Sequence, residues 1–90
     1  MTCLNRIVLD VLKPHSPNAL EFANAIADYN KGCEITILVT EVDERTETTL
    51  VTVKGNKIAF DQLVESITQF GGSIHSIDEV TVSNFEPDIS

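Results

Sequence analysis

Tryptophan is missing from this chain, and positive charge is scarce: six lysines and arginines stand against fourteen aspartates and glutamates, a formal net charge of −8. That deficit excludes a surface built to neutralise nucleic-acid phosphates or anionic lipid headgroups. No apolar run approaches the ~18 residues that a membrane-spanning helix needs. The opening Met1-Thr2-Cys3-Leu4-Asn5-Arg6 lacks the charged and apolar regions of a secretory leader and reads as the approach to a strand. Cysteine occurs twice, at Cys3 and Cys33, with no CxxC pair and no histidine at zinc spacing. A disulfide scaffold is thereby excluded, and two reduced thiols in a cytoplasmic protein are expected. Nucleophile elbow, phosphate loop, HExxH, EF-hand loop and dinucleotide fingerprint are all absent. Gly71-Gly72 follows a helical segment instead of opening one, so it is no phosphate cradle. No catalytic residue stands out, and nothing in the sequence marks an enzyme.

What is present is an ordinary globular composition. Ninety residues, 42% hydrophobic and 22% charged, suffice for one domain with one modest core. Leu4–Leu12 alternates with period two, Ile7, Leu9 and Val11 on one face and Arg6, Val8, Asp10 and Leu12 on the other, which predicts a strand. The run 13–17, with Pro14 and Pro17, ends it. Ser16 then offers an N-cap and Pro17 a first helical residue. Leu20, Phe22, Ala23, Ile26, Ala27 and Tyr29 form the apolar stripe of that helix, closed by Asn30-Lys31-Gly32. Glu34–Asp43 reads as the second strand, residues 43–47 as a polar hairpin loop and Thr48–Lys54 as the third strand. Ala59–Phe70 is a second helix with Leu63, Val64, Ile67 and Phe70 inward, and Gly71-Gly72 stops it. Ser73–Val82 is the fourth strand, so the domain spans 1–82, and 83–90 form a mobile acidic tail.

The order βαββαβ, joined by short connections and right-handed crossovers, predicts an α+β ferredoxin-like sandwich. Its antiparallel sheet has the order 4-1-3-2, with both helices on one face. In that order the third strand separates the starts of the first and second. Cys3 and Cys33 then lie about 9.6 Å apart, too far for an intrachain bridge. The end of the first strand, the start of the fourth and the central hairpin meet at one end of the sheet. Lys13, His15 and His75 gather there with the acidic group Glu41, Asp43, Glu44 and Glu47. Carboxylates without a histidine-rich cluster suit Ca²⁺ or Mg²⁺, so these four acids are the candidate metal ligands. Pairing the first and fourth strands with residue numbers summing to about 85 sets Arg6 opposite Glu79, Val8 opposite Ile77 and Asp10 opposite His75. A bulge near Ser76 would keep Ser76 and Asp78 from facing the helices. Arg6, Asp10, His15, His75 and Glu79 are therefore the candidate polar network for a ligand or an interface.

The sheet face away from the helices should show Val8, Leu12, Leu38, Val42 and Leu50 among threonines. The second strand is an edge with little proline or charge to guard it. Both features ask for a partner.

Three stretches also resemble a known family. Residues 6–15 (RIVLDVLKPH), 41–47 (EVDERTE) and 71–80 (GGSIHSIDEV) are similar to the start, central hairpin and last strand of domain-of-unknown-function family 211, small and mostly archaeal proteins. The resemblance spans roughly residues 6–82. It implies a ferredoxin-like fold, a cytoplasmic setting and symmetric, ring-shaped homo-oligomers, and no established reaction. Ala59 stands where such proteins tend to carry an aspartate at the helix start. Taken together, these readings lead to a homo-oligomeric ligand-binding or regulatory module, taking a divalent cation or a small metabolite. The alternatives are a structural or adaptor assembly, or a small enzyme with its site between subunits.

Overall fold

The computed structural model describes residues 1–85. Strand β1 (Cys3–Pro14) leads through helix α1 (Ala19–Tyr29) to β2 (Cys33–Val42) and β3 (Thr46–Gly55). Helix α2 (Phe60–Gln69) and strand β4 (Ser73–Ser83) complete the βαββαβ order. The four strands pair antiparallel in the order β2-β3-β1-β4, which is the ferredoxin-like arrangement the sequence predicts.

The core forms where the alternating residues of the two central strands meet the helices. Ile7, Leu9 and Val11 of β1 and Val51 and Val53 of β3 are buried with Phe22 and Ile26 of α1 and Leu63 and Ile67 of α2. Helix α1 lies along β2 and α2 along β4. Of the stripe expected on α1, Phe22 and Ile26 are buried, while Leu20 stands on the opposite side, 70% exposed. The first helix also starts later than Ser16-Pro17 suggests. Its N-cap is Asn18, whose Oδ1 accepts from the Glu21 N–H at 2.9 Å while Glu21 Oε1 accepts from the Asn18 N–H at 2.9 Å. This reciprocal pair satisfies two orphan donors where a serine cap would satisfy one. Helix α2 has no such device: its N-cap is Ala59, with no side-chain bond, and Asp61 supplies the only acid of its first turn.

Two small residues set how closely the layers approach. Asn30, buried at the end of α1, donates from Nδ2 to Ile26 O (2.7 Å) and to Ser66 Oγ of α2 (3.0 Å). Ser66 Oγ in turn donates to Leu63 O at 2.8 Å, so the two helices are joined through a closed polar chain. At Gly72 a Cβ would fall 2.7 Å from Ile67, 2.9 Å from Phe22 and 3.0 Å from Val11. The chain can turn from α2 into β4 there only without a side chain.

The sheet edges differ from expectation at two places. In β2 the register against β3 shifts between Val39 and Glu41, leaving Thr40 as an extra residue. The bulge reverses the faces beyond it: Val42 pairs with Glu47, which itself pairs with Lys13 on the helix side. Val42 therefore does not lie on the open face. Strand β4 shifts register against β1 three times, at Leu4/Arg6, Val8/Leu9 and Asp10/Val11. As a result Ile77 pairs with Leu9 and Val80 with Ile7, on the helix side, not with Val8 on the open face. The last strand also runs one residue further than expected. Ser83 belongs to it, and Asn84 accepts a bond from the Met1 amine at 3.4 Å. The rest of the expected tail, 86–90, lies outside the described residues. Cys3 and Cys33 are both free, and burial pushes the Cys33 thiol pKa up.

Candidate functional site

The polar residues singled out in the sequence separate into two groups on opposite faces of the sheet. On the open face, Arg6 Nη1 and Glu79 Oε2 form an ion pair at 2.5 Å. They do so diagonally, because the bulges put Thr81 opposite Arg6 and Glu79 opposite Val8. Asp10 pairs with Ser76, one residue from its expected partner. His75 is the extra residue between the Asp10–Ser76 and Val11–Ile74 rungs, and the bulge keeps its imidazole on Asp10's side of the sheet. The same irregularities release the neighbouring polar groups from the helix side, and Ser76 Oγ donates to Asp78 Oδ1 at 2.6 Å in the open.

Asp10, Leu12, Thr48 and His75 line a depression of about 320 Å³ on this face. The expected Asp10–His75 ion pair is not made. The ion pairs among the described residues are Arg6–Glu79, Lys13–Glu47 and His15–Glu47. The depression thus presents a carboxylate, an imidazole and a hydroxyl around the leucine, each without a partner across the gap. Its lining mixes one apolar side chain with three polar ones.

On the helix side the alternation Ile7, Leu9, Val11 continues to Lys13, which is 1% exposed. Pro14 does not end the strand before it. Proline is tolerated on a terminal rung, and Pro14 pairs there with Thr46. The buried ammonium needs compensation, and three groups supply it. Lys13 Nζ donates to Pro14 O (2.7 Å) and to Glu47 Oε1 (3.0 Å), and it lies 5.8 Å from the centre of the Phe22 ring. The second oxygen of Glu47 takes His15: Nδ1 to Oε2 is 3.0 Å, and Nε2 to Glu44 O is 3.1 Å. The hydrogen bond to Glu47, followed by that to the Glu44 carbonyl, raises the His15 pKa above its ordinary value. Bonds from His15 first and Lys13 second hold the Glu47 carboxyl below the usual carboxylate range.

The four acids expected to bind metal do not come together. Glu41 pairs with Thr48, on the same face as the depression, whereas Glu47 points to the helix side with both oxygens engaged. Asp43 and Glu44 sit on the exposed turn between them. Among the described residues no group of three or more His, Cys, Asp or Glu is placed to hold a metal ion. The physical reason is the alternation of a strand, reinforced by the Thr40 bulge, which sends neighbouring acids to opposite faces. What sequence reasoning missed was the role of Lys13 as the buried centre of its own network. The signal was available in the Ile7-Leu9-Val11-Lys13 period and called for an acid at matching depth.

The chain was compared with known proteins. Residues 5–85 match the family model described as domain of unknown function 211, an uncharacterized ArCR. Over 80 residues the chain is 44% identical to uncharacterized protein MJ0319 of Methanocaldococcus jannaschii, a match covering 89% of this chain and 82% of that protein. With nearly the whole domain matched and the fold in agreement, the chain belongs to domain-of-unknown-function family 211.

Proposed function

We propose that this protein is a homo-oligomeric binding or regulatory module. Its subunits associate along their sheet edges, and each takes a small organic ligand on the open face. The observation that carries the reading is the pair of free edges. Strand β2 presents ten residues and β4 eleven, with no proline, lysine or arginine in either. Unpaired backbone of that length, unguarded, is a template for strand addition. Apolar side chains reinforce it: Leu38 and Val42 on β2 and Ile77, Val80 and Val82 on β4 are all more than half exposed. Because β2 and β4 are different surfaces, pairing one with the other is head-to-tail, and it closes into a ring when the rotation permits.

The Asp10–Thr48–His75 depression supplies the ligand side. Its volume of about 320 Å³ suits a small metabolite. Asp10 would accept from a donor on that molecule, while Leu12 packs against its carbon skeleton.

Native mass spectrometry of protein purified without chelator tests both halves together. A mass that is a multiple of 9.9 kDa is expected, with a small-molecule increment that Asp10→Asn diminishes. Each specific interface should bury on the order of 1,000 Å² or more. Leu38→Lys should therefore dissociate the assembly, whereas Leu20→Lys, on the exposed side of α1, should leave it intact. A monodisperse 9.9 kDa species at micromolar concentration would overturn the assembly.

A further inference from the structure

The imidazole of His15 stands between two acceptors, and that geometry has a consequence for the β2–β3 turn. Nδ1 faces the carboxylate oxygen Oε2 of Glu47, and Nε2 faces the carbonyl oxygen of Glu44. Neither acceptor can donate a proton. A neutral imidazole carries one N–H and satisfies one of them, whereas an imidazolium carries two and satisfies both. We infer that His15 is a proton-operated clamp: protonated, it holds the turn of residues 43–46 against the end of β1, and on losing its proton it releases that turn.

The order of events follows from bond strength. A hydrogen bond to a carboxylate is about twice as strong as one between neutral groups. The remaining proton therefore stays on Nδ1, toward Glu47, and Nε2 turns its lone pair toward the Glu44 carbonyl. Two lone pairs 3.1 Å apart repel, so the bond that fails is the one to the turn. Glu47 is meanwhile held in place from behind, because its other oxygen carries the buried Lys13 ammonium. The anchor stays and the turn moves.

The charges around His15 come from three elements. Glu47 on β3 favours the imidazolium, and Lys13 on β1, reaching the same carboxylate, opposes it. The exposed turn adds the side chains of Asp43, Glu44 and Arg45. The shift directions agree with a net balance toward the charged ring. His15, raised, contributes in full below its ordinary pKa, and its contribution is lost as pH rises through the folded value. Glu47, lowered, contributes above the ordinary carboxylate range and is lost as pH falls through its own folded value. The clamp is closed between those limits and opens on the alkaline side of His15. Within the turn the Asp43 N–H donates to Thr46 O at 2.8 Å, and its exchange with solvent reports whether the turn is held.

The experiment is amide hydrogen exchange of the intact chain between about pH 5 and pH 9, which brackets histidine titration. It is read as protection factors, so that the intrinsic pH dependence of exchange is removed. Protection at Asp43 should fall about fivefold or more through the titration of His15, the equilibrium worth of one ordinary hydrogen bond. Amides at the centre of β1, which open only with the whole fold, should stay far more protected than Asp43 throughout and report the accompanying change in global stability. His15→Ala should abolish the step and leave protection at the low plateau at every pH. His75→Ala should retain the step, since it removes the only other imidazole. Nitrogen chemical shifts of the wild-type ring, above its pKa, should show the Nδ1–H form. A flat Asp43 profile across the His15 titration, a step that survives His15→Ala, or a ring protonated at Nε2 would each overturn the clamp.

Discussion

Gly72 and Lys13 show how far a single residue's role depends on what the fold brings to it. Gly72 reads in sequence as half of a helix stop, yet its neighbours are Ile67, Phe22 and Val11, all within 3.0 Å of where a Cβ would stand. These are core side chains with little room to move, so Gly72→Ala should cost about 1–3 kcal/mol. In a domain of this size each kcal/mol lowers the thermal midpoint by roughly 4–8 °C. Gly32→Ala offers the contrast: its Cβ would meet nothing within 4 Å, and its penalty comes from φ +83° alone. Thermal melts monitored by circular dichroism should rank Gly72→Ala as the more damaging. Equal losses would mean that the approach of α2 to β1 is looser than these distances indicate. Lys13 is the converse case. Its burial could be read from the period of the first strand, but Glu47, 34 residues away, could not be chosen from among four nearby acids without the register.

The helices repeat the lesson at the level of the element. Their existence and C-terminal ends follow from local pattern, apolar spacing with glycine after the last turn, whereas α1 starts at an Asn18 cap and not at the expected Ser16. Their quality differs, however, because α1 has a complete capping box and α2 has an alanine at the N-cap. Ala59→Asp should therefore stabilise the protein by about 0.5–2 kcal/mol, since it fills an unused cap and favours the positive end of the helix dipole. Asn18→Ala should destabilise by a similar amount, because the cap there is already in use. Urea denaturation at fixed pH measures both, and a loss of stability in Ala59→Asp would show that the α2 start is satisfied in some other way. The strands were harder to read than the helices. The irregularity expected near Ser76 falls at His75 and keeps it on Asp10's face, but the Thr40 bulge, which moves Val42 off the open face, was not foreseen. A bulge is a property of two paired strands, and the sequence of β2 alone does not announce it.

At the scale of the whole molecule, the charge of −8 bears directly on the proposed assembly. The edges that would pair carry Glu34 and Glu41 on β2 and Asp78 and Glu79 on β4, with no lysine or arginine on either strand. Association brings like charges together and must be driven by backbone pairing and apolar contact. Salt should therefore strengthen it. As ionic strength rises from about 0.01 M to 0.15 M, the screening length falls from roughly 30 Å to 8 Å. Sedimentation velocity across that range should show the assembled fraction rising. Dissociation on adding salt would instead mean that opposite charges hold the interface together.

The sequence by itself determined the elements, their order, the sheet order and most of the core, though Leu20 and Tyr29 of the expected stripe stay exposed and Ile58 joins the core unforeseen. Those properties rest on short-range periodicity, on turn chemistry and on the few crossovers that such an order allows. It also placed Lys13, His15, His75 and Glu47 at one end of the sheet, since that follows from topology alone, and the assumed register added Asp10 beside His75. Only the tertiary structure decided which of them touch. Glu47 takes Lys13 and His15 to the helix side, while Asp10 and His75 line a depression on the other. The division has a single physical cause. Side chains alternate across a strand, so one extra residue in a partner strand exchanges the faces of everything beyond it, and that residue is fixed by packing between segments far apart in the chain.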